Sequence, residues 1–158
     1  MGFIKNEHQY WMEYALKEAR QAFEENEIPV GAVVIHNQEI IGRGHNQRES
    51  LHDPTAHAEM IAISSAADNL GDWRLDNCTL YVTLEPCPMC TGALLNARIP
   101  KLYFGAYDDD AGMCGSRDDL CRQNLLNHNI TYRGGILQAE CQSLLDDFFN
   151  KIRENDSQ

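Results

Sequence analysis

Cys78-Thr79-Leu80-Tyr81-Val82-Thr83-Leu84-Glu85-Pro86-Cys87-Pro88-Met89-Cys90 decides how this chain folds. The stretch opens as a β-branched and aromatic run, which reads as a buried strand. Beyond Pro86 it continues through Met89-Cys90-Thr91-Gly92-Ala93-Leu94-Leu95, which reads as a helix. Pro88 suits the first turn of that helix, where its missing N–H has no partner to lose. Cys87 and Cys90 then fall three apart on one face of a helix start. The positive end of the helix dipole favours their thiolate forms. By its spacing alone the pair suits zinc and a thioredoxin-like redox dithiol about equally, with a plain buried pair as a weaker third reading.

Composition narrows the setting. With 158 residues, 43% of them apolar and 8% aromatic, the chain is long enough to bury a core and reads as one globular domain, residues 1–158. Its apolar runs are too short to cross a bilayer, so no membrane association is expected. Residues 1–20 are charged and amphipathic rather than a greasy leader, and the expected location is the cytoplasm. Cys78, Cys114, Cys121 and Cys141 are read as reduced thiols with packing roles. The net charge of −11, from 13 basic and 24 acidic residues, excludes a general coat for nucleic acid but leaves room for a local basic contact.

On either side of the central stretch the periodicity alternates. Trp11, Ala15, Ala19, Ala22 and Phe23 predict an amphipathic helix over residues 8–25. Strands over 30–36 and 40–44, joined at Asn37-Gln38-Glu39, predict a hairpin. Gly31, Gly42 and Gly44 within it suggest bulges or a close backbone approach, with a ligand as one partner considered. Asp53 is the expected N-cap of a helix over 55–69, with Pro54 in its first turn. After the central strand and a helix over 88–98 come a strand at 100–105 and an acidic loop at 107–115. A short irregular helix over 118–126, a strand at 130–132 and a helix from 138 to about 152 complete the order. The sum is an α/β chain, a three-layer α/β/α domain on a mixed sheet of about five strands.

One Cys pair without an H-x₃₋₅-H partner does not make a four-ligand structural zinc site. The nearest third ligand is His57, at a helix start. Two cysteines and one histidine leave a zinc ion its fourth position for water, the pattern of a catalytic metal. Glu59 then serves better as a proton carrier than as a ligand. Residues two apart on a regular helix point to different sides, so His57 and Glu59 share a site only if that site faces the helix end. His57-Ala58-Glu59 with Pro86-Cys87-Pro88-Met89-Cys90 matches the H-x-E and P-C-x-x-C signature of zinc nucleobase deaminases.

Further blocks extend the match. Glu27-Ile28-Pro29-Val30-Gly31-Ala32, Gly44-His45-Asn46, Asp53-Pro54-Thr55-Ala56-His57-Ala58-Glu59, Asn96-Ala97-Arg98-Ile99, Gly105-Ala106-Tyr107-Asp108 and the ending through Phe148-Phe149 resemble the bacterial tRNA-specific adenosine deaminases, in the cytidine/deoxycytidylate deaminase superfamily. The resemblance covers nearly the whole chain. It implies a cytidine-deaminase-like fold, a Zn2+ cofactor held by His57, Cys87 and Cys90, a homodimer, and conversion of adenosine to inosine at the wobble position of a tRNA anticodon loop. Glu59 would move the protons. Asn46 would hydrogen-bond the base or its ribose, against the plainer reading of a turn asparagine. Pro29, Val30 and Leu84 would wall the base, and Asp108 and Phe149 match positions near the bound nucleotides.

Two features depart from the resemblance. Asp110 stands where the family usually has a basic residue, and residues 140–158 hold two basic and five acidic residues where the family's ending is often more basic. Arg43, Arg48, Arg98, Lys101, Arg117, Lys151 and Arg153 are the remaining candidates for phosphate contact, each with a solvated surface charge as its default reading. The competing functions are deamination of a free base or nucleotide of guanine or cytosine type and, outside enzymes, a zinc-stabilised binding module. A redox dithiol is remote, because it leaves His57 and Glu59 without a role.

Overall fold

The structure, a computed structural model, describes residues 6–157. Helix α1 spans Glu7–Glu24, and strands β1 (Gly31–His36) and β2 (Glu39–His45) form the hairpin. Helix α2 (Ala58–Leu70), strand β3 (Thr79–Leu84), helix α3 (Pro88–Asn96) and strand β4 (Lys101–Ala106) follow. Strand β5 (Thr131–Arg133) and helix α4 (Gln138–Asp156) close the chain. The five strands lie in the order β2-β1-β3-β4-β5. β1 runs antiparallel to both β2 and β3, whereas β3, β4 and β5 are parallel. Helices α1 and α4 pack on one face and α2 and α3 on the other, the three-layer architecture expected.

Each helix buries its apolar stripe against this sheet. On α1 that stripe is Trp11, Met12, Ala15, Leu16, Ala19 and Ala22, and Asn6 caps the helix by accepting from Gln9 N. The core continues through Val33, Leu80, Val82, Leu102 and Phe104, none of them exposed.

The glycines of the hairpin face helices rather than a ligand. A Cβ on Gly42 would lie 2.3 Å from the Ala62 carbonyl oxygen, and one on Gly44 2.3 Å from that of Ala58. The facing side of α2 is correspondingly small, with Ala58, Ala62 and Ala66 all buried. A hydrogen in place of each side chain lets this helix lie directly on the strand backbone. The bulge also expected is present, between Val34 and Ile35.

The segment expected as a short helix, residues 118–126, is a chain of turns, with one 3₁₀ turn at Leu125–Asn127. Its polar side chains cap their own backbone: Asp118 accepts from Asp119 N, Asp119 from Cys121 N and Asn129 from Asn124 N. That competition displaces a helical ladder. Asn124, Leu126 and Asn127 hold φ of 52°, 57° and 54°, which a right-handed helix excludes.

Gly42→Ala should destabilise the protein by about 1–3 kcal/mol through this forced contact. Thermal unfolding reads it as a fall of roughly 2–4 °C for each kcal/mol. An unchanged midpoint would mean that α2 is free to ride outward.

Candidate active site

Two helix starts meet at the carboxyl end of β3. Helix α3 follows β3 after three residues, so Cys87 is its N-cap, with φ −76° and ψ 175°, and Cys90 lies in the first turn. The N-cap of α2 is not Asp53. Asp53 Oδ1 accepts from Thr55 N and Thr55 Oγ1, closing a local turn, and the helix begins four residues later. His57 is the N-cap, extended at φ −78° and ψ 154°. This removes the obstacle to His57 and Glu59 sharing a site: His57 stands outside the helix, while Glu59 sits in its first turn. Both face the helix end.

His57 Nδ1 lies 3.6 Å from Cys87 Sγ and 3.5 Å from Cys90 Sγ. A tetrahedral zinc ion, with Zn–S of about 2.3 Å and Zn–N of about 2.0–2.1 Å, spaces its nitrogen and sulfur ligands about 3.6 Å apart. The donor set fits zinc in both chemistry and spacing, and it is the one group of three or more ligating side chains gathered closely enough among the described residues. Hydrogen bonding from Cys90 and His57, against the cost of burial, holds the Cys87 thiol down to about 4. Its thiolate in turn pushes the Cys90 thiol up. Two thiolates this close repel, so ionising both requires a cation between them.

Glu59 is buried, 4% exposed, beside this cluster. Burial pushes its carboxyl up to about 7, with the Cys87 charge acting in the same direction. A carboxyl there exchanges a proton readily near neutral pH.

These residues open on a cavity of about 170 Å³, far beyond the roughly 10–15 Å³ needed by one water. His57, Glu59 and Cys87 line its floor, and Asn46, Val30, Leu84 and Asp108 join them as the sequence suggested. Pro29 does not line it; Ile28 does. The chain makes a tight turn here, Val30 N donating to the Ile28 carbonyl at 2.8 Å, and Pro29 is buried away from the cavity. Phe149 lies in an adjoining groove of about 270 Å³, with Phe148 and Ile152, which shares Ile28, Asn46 and Arg48 with the cavity.

Asn46 is 8% exposed and fixed by its own amide: Nδ2 donates to the Ile28 carbonyl, and Oδ1 accepts from Arg48 N. One N–H and one lone pair of that amide stay available to a ligand. The rim loop 107–116 is tied down by Glu85, a residue sequence reasoning did not distinguish from its neighbours. Its buried carboxylate accepts from Asp108 N, Cys114 N, Ser116 N and the Ser116 hydroxyl. Gly112 is required there, because a Cβ would fall 2.4 Å from that carboxylate. Asp108 Oδ1 accepts from Asp110 N and Ala111 N, which shapes the loop.

The model of the cytidine and deoxycytidylate deaminase zinc-binding region matches residues 5–106. A tRNA-specific adenosine deaminase of Bacillus subtilis is 46% identical over 91% of this chain and 89% of its own. The chain belongs to the tRNA-specific adenosine deaminase family. A solved structure from studies of A-to-I editing by tRNA:A34 deaminases is 40% identical, with a TM-score of 0.80 over 86% of this chain and 99% of that one. A guanine deaminase of Bacillus subtilis has nearly the same identity, 39%, but a TM-score of 0.62 over 71% of each chain. A guanine deaminase of Nitrosomonas europaea matches 89% of this chain with a TM-score of 0.76, but at 25% identity, so of these three structures only the tRNA deaminase combines high identity with high coverage.

The purified protein should carry roughly one zinc per chain, and Cys90→Ala should lose it. Metal analysis of both proteins checks this; a Cys90→Ala protein that keeps full zinc would remove Cys90 from the ligand set.

Proposed function

We propose that this protein hydrolyses adenosine to inosine, with release of ammonia, at the wobble position of a tRNA anticodon loop. The observation that carries the reading is a buried carboxyl beside a catalytic-type ligand set, in a chain 46% identical over 91% of its length to a tRNA-specific adenosine deaminase. An anticodon loop is single-stranded, so its base can be turned into the cavity without melting a duplex.

His57, Cys87 and Cys90 would hold the zinc ion. When bound, zinc lowers the pKa of water and so supplies a nucleophile at neutral pH. Glu59 takes a proton as water adds to C6 of the base and gives it to N1, then takes the proton of the new C6 hydroxyl and gives it to the departing amino group. Adenosine and water thus become inosine and ammonia, with Glu59 restored. Ile28, Val30 and Leu84 enclose the flat faces of the base, and Asn46 turns its spare donor and acceptor to the nucleoside. Asp108 keeps Oδ2 for a ribose hydroxyl, since Oδ1 is committed to the loop. Phe149, 40% exposed, offers a ring face to a flanking base.

We read the whole chain as one catalytic domain acting in the cytoplasm. All six cysteines are free, as a reducing compartment keeps them, and no helix among the described residues is long and apolar enough to cross a membrane. The homodimer reading rests on the family resemblance. Light scattering should give twice the chain mass, and a monomer that is fully active would dismiss it.

Incubated with an anticodon stem-loop carrying adenosine at the wobble position, the protein should produce inosine there. An unchanged stem-loop, with guanine or cytosine deaminated instead, would overturn the reading. Glu59→Gln should keep its zinc and fold while losing roughly 10²–10⁴ in turnover. Near-parental turnover in that variant would remove Glu59 from proton transfer.

A further inference from the structure

The chain is strongly acidic, with a formal charge of −11, yet the substrate proposed above is a polyanion. Phosphate must therefore be met locally. Of the residues lining either the deaminase cavity or the adjoining groove, Arg48 is the only lysine or arginine, and it lines both. It stands on the divide between them, beside Asn46, where a strand with one base in the cavity and the next against Phe149 would cross.

Several other cations considered for this role are turned elsewhere. Arg43 lies over the Tyr14 ring and Lys151 over the Phe23 ring. Arg98 donates from Nη1 to the Leu95 carbonyl at 2.7 Å. The Arg48 side chain is exposed and enters no ion pair among the described residues.

Its backbone, by contrast, is firmly placed. Arg48 N donates to Asn46 Oδ1, and the Arg48 carbonyl accepts from Asp53 N. The next two residues are held by Glu27, 1% exposed, whose carboxylate accepts from Glu49 N at 2.9 Å and from Ser50 N and Ser50 Oγ at 3.0 Å. Those bonds occupy both oxygens of Glu27, whose charge Arg48 also helps to hold without pairing directly with it. A fixed backbone carrying a free guanidinium is a suitable arrangement for gripping phosphate, because the fork keeps its direction and gives up no existing ion pair.

We propose that Arg48 is the residue by which this chain grips the RNA backbone, contacting the phosphate between the target nucleotide and its neighbour. The contact rests on the tRNA reading above and adds to it the residue and the chemical group recognised.

The test compares the parent, Arg48→Ala and Arg48→Lys on one anticodon stem-loop over a range of KCl concentrations. Arg48→Ala should raise KM roughly five- to tenfold with the effect falling on KM rather than kcat. Its log–log dependence of kcat/KM on salt should be shallower by about 0.7, the share of one single-strand phosphate. Arg48→Lys should keep the parental salt slope. If Arg48→Ala shows the parental KM and slope, or Arg48→Lys loses as much as Arg48→Ala in both, the contact is not a phosphate contact. A parent inert on the stem-loop would overturn the tRNA reading, and this contact with it; an active parent with an indifferent Arg48→Ala overturns the contact alone.

Discussion

The backbone-to-backbone approach of α2 on β2 is the constraint from which the site's geometry follows. With Gly42 and Gly44 on the strand and Ala58, Ala62 and Ala66 on the helix, α2 has no side-chain layer between itself and the sheet. Its height above the strands is set by backbone contact, and so is the position of His57 at its start. Cys87 is placed independently, by β3 ending at Leu84 and α3 starting at Pro88. The 3.5 and 3.6 Å separations of the imidazole from the two sulfurs need both placements to hold at once. The parallel pairing of β3 with β4 supplies the remaining wall, because both strands release their loops at the same edge. Ligand sites of parallel sheets lie outside such carboxyl ends.

Three glutamates are buried in this region, and their surroundings give them different work. Glu27 and Glu85 each accept from three or more N–H and O–H donors on loops that frame the cavity. For Glu27, burial favours the neutral acid, but the hydrogen bonds from Ser50 and Glu49 outweigh it and hold the carboxyl below its usual range. Glu59 lacks such a cradle, and burial prevails. The same side chain is thereby an anchor in two places and, in the proposed reaction, the proton carrier in the third. Glu59 differs from Glu27 both in the deeper burial of its carboxyl and in having fewer donors around it.

That distinction also marks the limit of what could be read from the residues in order. The layers, the strand count, the ligand set and Glu59 were legible because each depends on short spacings: a period of two or 3.6, a C-x-x-C, an H-x-E. Asp53-Pro54-Thr55 imitated a helix start because Asp53 does close an Asx turn, one turn too early. The 118–126 segment carried helix-compatible residues whose side chains instead captured neighbouring N–H groups. Glu85 was invisible as an anchor because its donors lie 23 to 31 positions further on. Pro29 was preferred to Ile28 by resemblance, and the tight turn that aims Ile28 into the cavity follows no simple period.

The acidity of the chain then takes on a physical sense. Two helix starts each present roughly half a positive charge, and Arg48 adds a full one where the cavity meets the groove. Elsewhere an excess of carboxylates repels phosphate. At physiological salt, charges more than about 8 Å apart are largely screened, so distant acids weaken the local contact little while still discouraging sequence-independent binding. A basic surface would hold any RNA by its backbone and leave the pocket to sort bases afterwards. Here the backbone grip is small, and an RNA stays only if a base can enter the cavity, which an unpaired loop permits and a duplex resists.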